Sequence, residues 1–309
     1  MRKTVTITIP SYKQEQELRR SLTSLTFQTF KDFTDVIIDD NSGCDLSLIT
    51  KDYPSLEIIV VHNHKNLGAM KNLEYSILFE TDSKYILSHH EDDYLVTNYL
   101  ERAVAILEKN SDVSFVTCEP RWVSRQDAYV GHSITNIQPL FLDAQEFMRE
   151  SLMMRPFMFG SAVYRTKDLS GQKFELEKYY TLCDKIFLSS ILITKKTFAA
   201  HIPEQGICVT DHSKEKKDTR SEHSKPEHFF NYFSFYHKHL AKNKENQILI
   251  SNSTLLGIAH MHDKYLKNIG IAYKKDLFKI ALINKIGFYA CFIMLFGKKN
   301  AKRTGDILR

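Results

Sequence analysis

The sequence predicts an α/β fold, a mostly parallel sheet flanked by helices, with a C-terminal helical extension. Between Thr4 and Cys118, short β-branched runs alternate with segments of helical apolar spacing. That alternation is the mark of parallel βαβ units with right-handed crossovers. Several of these runs stop at polar loops, at residues 10–13, 39–42 and 91–93. Parallel strands put such loops along one sheet edge, where ligands bind. From Pro226 onward the pattern changes to aromatics and lysines at helical spacing.

Taken in order, residues 4–9 alternate and are β-branched, so they read as a strand ending at Pro10-Ser11-Tyr12. Leu18, Leu22, Leu25 and Phe27 give residues 14–30 one apolar helical face. Residues 33–38 are a second strand, closed by Asp39-Asp40-Asn41-Ser42-Gly43, and residues 56–61 a third. The polar loop 62–68 leads to a helix over 69–79. A strand at 85–87, a helix over 97–109 and a strand over 113–118 complete the first half. Residues 160–165 read as a further strand, and a helix begins near Asp184.

The length, 309 residues, suits one large domain or two smaller ones. A composition of 43% hydrophobic and 26% charged residues excludes collagen-like, low-complexity and wholly disordered classes. The net charge of +5 is modest and concentrated late in the chain. It favours an anionic membrane surface or a phosphorylated ligand, and no nucleic acid partner is expected. Cys44, Cys118, Cys183, Cys208 and Cys291 are scattered without metal or redox spacing, which implies free thiols in a reducing compartment. Neither a signal-peptide core nor an 18-residue uncharged apolar run is present. The expected location is the cytoplasm, at most peripheral at the inner face of the plasma membrane.

The acidic run Glu91-Asp92-Asp93 is the strongest chemical signal, because adjacent carboxylates repel and gain nothing from a strand end. A divalent cation such as Mg²⁺ or Mn²⁺, taking carboxylates plus substrate phosphates, accounts for them. A solvated turn before a helix N-terminus is the ordinary alternative. Asp39-Asp40 has its own ordinary reading, an Asx turn. The first strand lacks both the dinucleotide-binding glycine pattern and the lysine-containing phosphate loop.

Together these blocks resemble the inverting, family-two glycosyltransferases of the GT-A fold. The resemblance runs through residues 5–12, 24–30, 36–42, Asn66-Leu67-Gly68 with Lys71-Asn72, and 91–93, close over 4–118 and looser over 119–225. It implies that Pro10, Ser11, Tyr12, Asp39, Asp40, Asn66, Lys71 and Asp92 bind a nucleotide-sugar. Asp93 is the implied ligand for Mn or Mg, with Asp92 helping and Glu91 set aside. Where the family usually has Asn after Tyr this chain has Lys13, and where it often has Arg this chain has Lys71.

The resemblance also implies a base that deprotonates the acceptor hydroxyl, and Asp184 stands at that position. Its ordinary alternative is a helix N-cap. Residues 211–225 have the composition of a lid, in which His212 could meet the diphosphate or the metal. Arg121-Trp122 falls before the base and lacks the preceding Gln of processive synthases, which favours single additions.

The expected organisation is a 1–225 catalytic domain, with a 1–118 nucleotide half and a 119–225 acceptor half, and a 226–309 helical region. Its apolar stretch 286–296, bordered by Lys279, Lys285 and Lys298-Lys299, is too short to span a bilayer. It suits a membrane interface, its own domain or a second subunit, which leaves a homo-oligomer open. The expected reaction moves one sugar from a nucleotide-diphospho-sugar to a glycan or lipid-linked glycan acceptor in cell-surface polysaccharide assembly. The rivals are a catalytically silent nucleotide-sugar-binding or scaffolding protein and a nucleotidyltransferase.

Overall fold

The computed structural model describes residues 3–153, 155–212, 226–242, 244–250 and 253. It divides into two compact units whose segments interleave. The first comprises residues 1–144, 156–174 and 187–218, the second residues 145–155, 175–186 and 219–309.

The first unit is built on one nine-stranded sheet. Strands β1 (Val5–Ser11), β2 (Phe33–Asp39), β3 (Ile58–His62) and β4 (Tyr85–Ser88) form a parallel half in the order β3-β2-β1-β4. Helices α1 (Glu15–Thr26), the short α2 (Ser47–Thr50) and α3 (Ala69–Ile77) supply the crossovers. After β5 (Tyr94–Leu95) and α4 (Tyr99–Lys109) come the long β6 (Val113–Val123) and β7 (Leu140–Leu142). Helix α5 (Ala144–Leu152), which belongs to the second unit from Gln145 on, comes next in the chain, then β8 (Val163–Arg165), which enters antiparallel between β4 and β6. From there the sheet is mixed, with β9 (Phe198–Thr210) parallel to β6 but antiparallel to β5 and β7.

Apolar burial explains this arrangement. Val5, Ile7 and Ile9 of β1 and Ile37 of β2 share a fully buried core with Leu18, Leu22 and Leu25 of α1 and Leu100, Ala103 and Leu107 of α4. Phe27 departs from the expected helical face: α1 ends at Thr26, and Phe27 is 56% exposed, stacked on Tyr129. The chain leaves the helix because the buried Gln28 is used elsewhere. Its amide donates to the Val96 carbonyl at 2.8 Å and accepts the Leu100 N–H at 3.2 Å.

After α6 (Thr166–Leu169), the second unit holds α7 (Leu176–Tyr179), the first turn of α8 (Cys183–Lys195) and α9 (Pro226–Leu240). Tyr179 meets Phe235 edge-on, and Asn231 donates to the Lys178 carbonyl at 3.0 Å. Among the described residues no helix is long and apolar enough to cross a membrane. The stretch 286–296 lies outside the described residues.

Candidate functional site

The parallel register brings three loops to one edge. Ser11 pairs with Asp39 and Thr8 with Ser88, so β1, β2 and β4 end side by side. The Asp40 N–H donates to the Ser11 carbonyl at 2.9 Å and the His89 N–H to Thr8 at 2.8 Å, which carries this order into the loops.

Asp40 is the hub of the second loop. Its Oδ1 accepts the Leu67 N–H at 2.6 Å and the Asn63 amide at 3.0 Å, and its Oδ2 accepts the Gly68 N–H at 2.8 Å. Gly68 sits at φ 82°, where a side chain would be strained. Asn66 donates to the Asp40 carbonyl at 3.2 Å, while Lys71 is exposed on the first turn of α3. Asp39 faces inward instead, where its buried carboxylate takes the Ser42 N–H in an Asx turn and the His62 Nδ1 at 3.0 Å. In this geometry Asp39 closes an Asx turn, and Asp40 shapes the loop beside the edge.

The first loop presents Tyr12, half exposed, after Pro10 and the buried Ser11. Lys13 occupies the left-handed region at φ 57° and sets its ammonium over the Tyr12 ring at 5.1 Å. Asn tolerates that conformation better than most residues, which gives a physical reason for the family's usual Asn at this position. A cleft of about 240 Å³ opens beside this loop, bordered by Ser11, Lys13, Gln14, Ser42 and Cys44.

The third loop carries the acidic run. His90, Asp92 and Asp93 present ligand atoms that all lie within 4.8 Å of one another. The Asp92 side chain keeps 16% exposure and that of Asp93 only 4%. The Asp93 Oδ1 accepts the Thr210 N–H at 3.0 Å, and His90 Nδ1 stands 3.5 Å from the Asp93 carboxylate. His212 Nε2 lies 2.7 Å from Asp92 Oδ2. Burial pushes the Asp92 carboxyl up, but the His212 hydrogen bond and the charges of His90 and His212 outweigh it and hold it below the ordinary range. Two carboxylates and the His90 imidazole around one point, with His212 bound to Asp92 beside them, form a donor set that fits a divalent cation.

Glu91, set aside in the sequence reading, has a defined place. Both of its oxygens face the Tyr12 N–H, at 3.1 and 3.2 Å, and Oε1 accepts the Gln14 amide at 3.1 Å. Burial pushes its carboxyl up to about 7 against the lowering effect of these hydrogen bonds and that of Ser11. The surplus of three acids where a cation needs two was the only sequence signal for it. His89 is buried against the Gly160 carbonyl at 3.2 Å, and burial lowers its pKa. Arg121 and Trp122 are exposed on β6.

Asp184 belongs to the second unit, at the second position of α8, where its Oδ1 accepts the Lys185 N–H at 2.7 Å. Two residues with positive φ precede it, Glu175 at 45° and Tyr180 at 46°, and the Tyr180 ring stacks on His228 at 5.6 Å. Burial raises the Tyr232 hydroxyl on α9, and the neighbouring Tyr236 and the Asp184 charge raise it further.

Over 112 residues the chain is 27% identical to an uncharacterized glycosyltransferase of Haemophilus influenzae, covering 36% of this chain and 37% of that protein. Over 164 residues it is 29% identical to one of Methanocaldococcus jannaschii, covering 50% of this chain and 54% of the relative. The chain thus spans about half or less of the curated relatives it matches. Among solved structures it resembles Staphylococcus aureus TarS 1–349 in complex with UDP-GlcNAc (TM-score 0.65, 15% identity, 94% of this chain and 83% of that one). It also resembles the mannosyltransferase PcManGT of Pyrobaculum calidifontis in complex with GDP-Man and Mn²⁺ (TM-score 0.51, 13% identity, 96% and 84%). At such identities these structures establish the GT-A fold alone. The family model described as Glycosyl transferase family 2 matches residues 6–170 of the 309, and the chain belongs to that family.

Proposed function

We propose that the protein transfers a single sugar, with inversion, from a nucleotide-diphospho-sugar to a glycan or lipid-linked glycan acceptor in a cation-dependent reaction. One observation carries this reading: the Tyr12, Asp40 and Asp92-Asp93 loops meet along one sheet edge, joined by the Glu91–Tyr12 contact. Tyr12 offers a ring face for a nucleobase, the Asp40 loop a polar wall for the nucleoside, and Lys71 a point charge for a phosphate.

Asp93 and Asp92, with His90 and His212 beside them, would hold the cation. The carboxylates suit Mn²⁺ and Mg²⁺ alike, and Mg²⁺ retains water and oxygen ligands. When bound, the cation neutralises charge on the diphosphate leaving group. Asp184 is proposed to take the proton of the acceptor hydroxyl as that oxygen attacks the anomeric carbon from the face opposite the diphosphate. The strained backbone at Tyr180, just ahead of Asp184, supports a functional role for this turn, since such strain concentrates at functional sites.

A panel of nucleotide-sugars tested for thermal stabilisation, with and without Mn²⁺, examines this reading. A true donor at a hundred times its Kd stabilises by about 2.7 kcal/mol through mass action. Stabilisation that requires both donor and Mn²⁺ supports the reading. Failure of every nucleotide-sugar to stabilise would remove it, and binding without turnover would point to a silent sugar-binding protein.

A further inference from the structure

Arg20 stands on α1, is only 9% exposed and has no part in the site as described above. Its Nη1 faces the carbonyls of Ser124, Arg125 and Asp127 at 3.3, 3.1 and 2.9 Å. Its Nη2 donates to the Asp92 carbonyl at 2.7 Å and to the Thr210 hydroxyl at 2.6 Å. The guanidinium also lies over the Tyr94 ring at 5.3 Å. Every hydrogen-bond acceptor here is a carbonyl or a hydroxyl, and none is a carboxylate.

We infer that Arg20 is the positioning residue of the acidic turn, fixing the plane of the Asp92–Asp93 peptide and with it the direction of both carboxylates. This rests on reading Asp92 and Asp93 as cation ligands. The carbonyl of that peptide is held twice, by Arg20 Nη2 and by the Thr210 hydroxyl. The other polar group of the same peptide, the Asp93 N–H, donates to the His90 carbonyl at 3.2 Å. With both ends anchored the peptide cannot rotate. The Thr210 N–H then fixes the Asp93 Oδ1 at 3.0 Å, so Arg20 acts on Asp93 through Thr210 as well.

The chemistry of the side chain supports the assignment. A guanidinium without a carboxylate partner is costly to bury, and an apolar residue would fill the same space more cheaply. Leu18 and Leu22, on the same helix, do fill space in that way. A planar fork of donors spans these five acceptors, which the three donors of a single lysine ammonium cannot. Ligands must be held to within about 0.5 Å to act together. Losing such an outer support typically lowers metal affinity by roughly 10–100-fold.

The test uses the full chain with Mn²⁺ as the probe. Free Mn²⁺ is counted by electron paramagnetic resonance, and folding is checked by circular dichroism. Arg20→Met should weaken Mn²⁺ binding by roughly 10–100-fold, and Arg20→Lys should recover only part of the loss. Thr210→Val, which keeps the side-chain shape and cannot hold the Asp92 carbonyl, should weaken it in the same direction if Arg20→Met fails to fold. Asp93→Asn provides the reference for a lost ligand. A folded Arg20→Met or Thr210→Val protein with wild-type Mn²⁺ affinity, while Asp93→Asn has lost it, would overturn the positioning role alone. If the wild type itself takes up no Mn²⁺, the reading of the site fails and the inference with it.

Discussion

Glu91 turns both carboxylate oxygens to the backbone N–H of Tyr12, at 3.1 and 3.2 Å, and so ties the acidic loop to the loop after β1. Replacing it by alanine would leave a partly buried N–H without its acceptor. Stranding a buried donor costs about 1–3 kcal/mol. Glu91→Ala is therefore expected to weaken nucleotide affinity about tenfold or more, measured by titration calorimetry with nucleoside diphosphates, because Tyr12 loses its anchor. Unchanged affinity in a folded variant would mean that the loop is set by other contacts.

Asp40 joins the β2 end to the loop before α3 through two backbone N–H groups and the Asn63 amide. In Asp40→Ala these donors lose a shared buried acceptor. The expected cost is at least about 3 kcal/mol of unfolding free energy, at 1–3 kcal/mol for each stranded donor. Urea denaturation measures it, and a loss below about 1 kcal/mol would show that water replaces the carboxylate freely.

Asp35 gives a prediction that depends on pH. It is fully buried in β2 between Phe33 and Ile37, and neither carboxylate oxygen has a hydrogen-bond partner among the described residues. Burial raises its pKa well above the ordinary value. The folded state then favours the neutral form, so this group is least unfavourable below its unfolded pKa. Its penalty grows as pH rises from about 4 towards the folded pKa and is constant above it. Asp35→Val should therefore be more stable than wild type at pH 7, by about 1–3 kcal/mol, with a smaller gain near pH 4. An equal difference at both pH values would contradict the burial of a titrating Asp35.

Gly206 of β9 packs tightly against Cys118 and Tyr99. A Cβ there would stand 2.7 Å from both the Cys118 sulfur and the Tyr99 ring. Gly206→Ala should lower stability by about 1–3 kcal/mol through overpacking, read as a drop in melting temperature. A neutral result would mean that β6 and β9 separate easily at their bulge.

Much of this architecture was legible in the sequence because it depends on local periodicity. The β-branched runs at β1 and β2, the Leu18-Leu22-Leu25 stripe and the polar stops after the strands each signal their structure within a few residues. The convergence of the loops followed from parallel topology alone. What could not be read depends on distant partners. Arg20 meets Thr210 across 190 positions, and Glu91 meets Tyr12 across 79. Phe27 looked like a core residue because the helix pattern gives no sign that Gln28 is bound to the α4 start. The antiparallel entry of β8 turns the sheet from parallel to mixed, and no spacing in the sequence encodes the direction of a three-residue strand.

Turnover of nucleotide-sugar donors by the wild type, Asp93→Asn and Asp184→Asn, with Mn²⁺ present, separates a working transferase from a silent binding protein. Each substitution should lower sugar transfer by at least about 100-fold, general base catalysis alone contributing about 10²–10⁴. Asp93→Asn should also lose Mn²⁺-dependent donor binding, which Asp184→Asn should keep. Full turnover by Asp93→Asn would contradict the cation-holding role of the acidic turn, and full turnover by Asp184→Asn would contradict its role as the base.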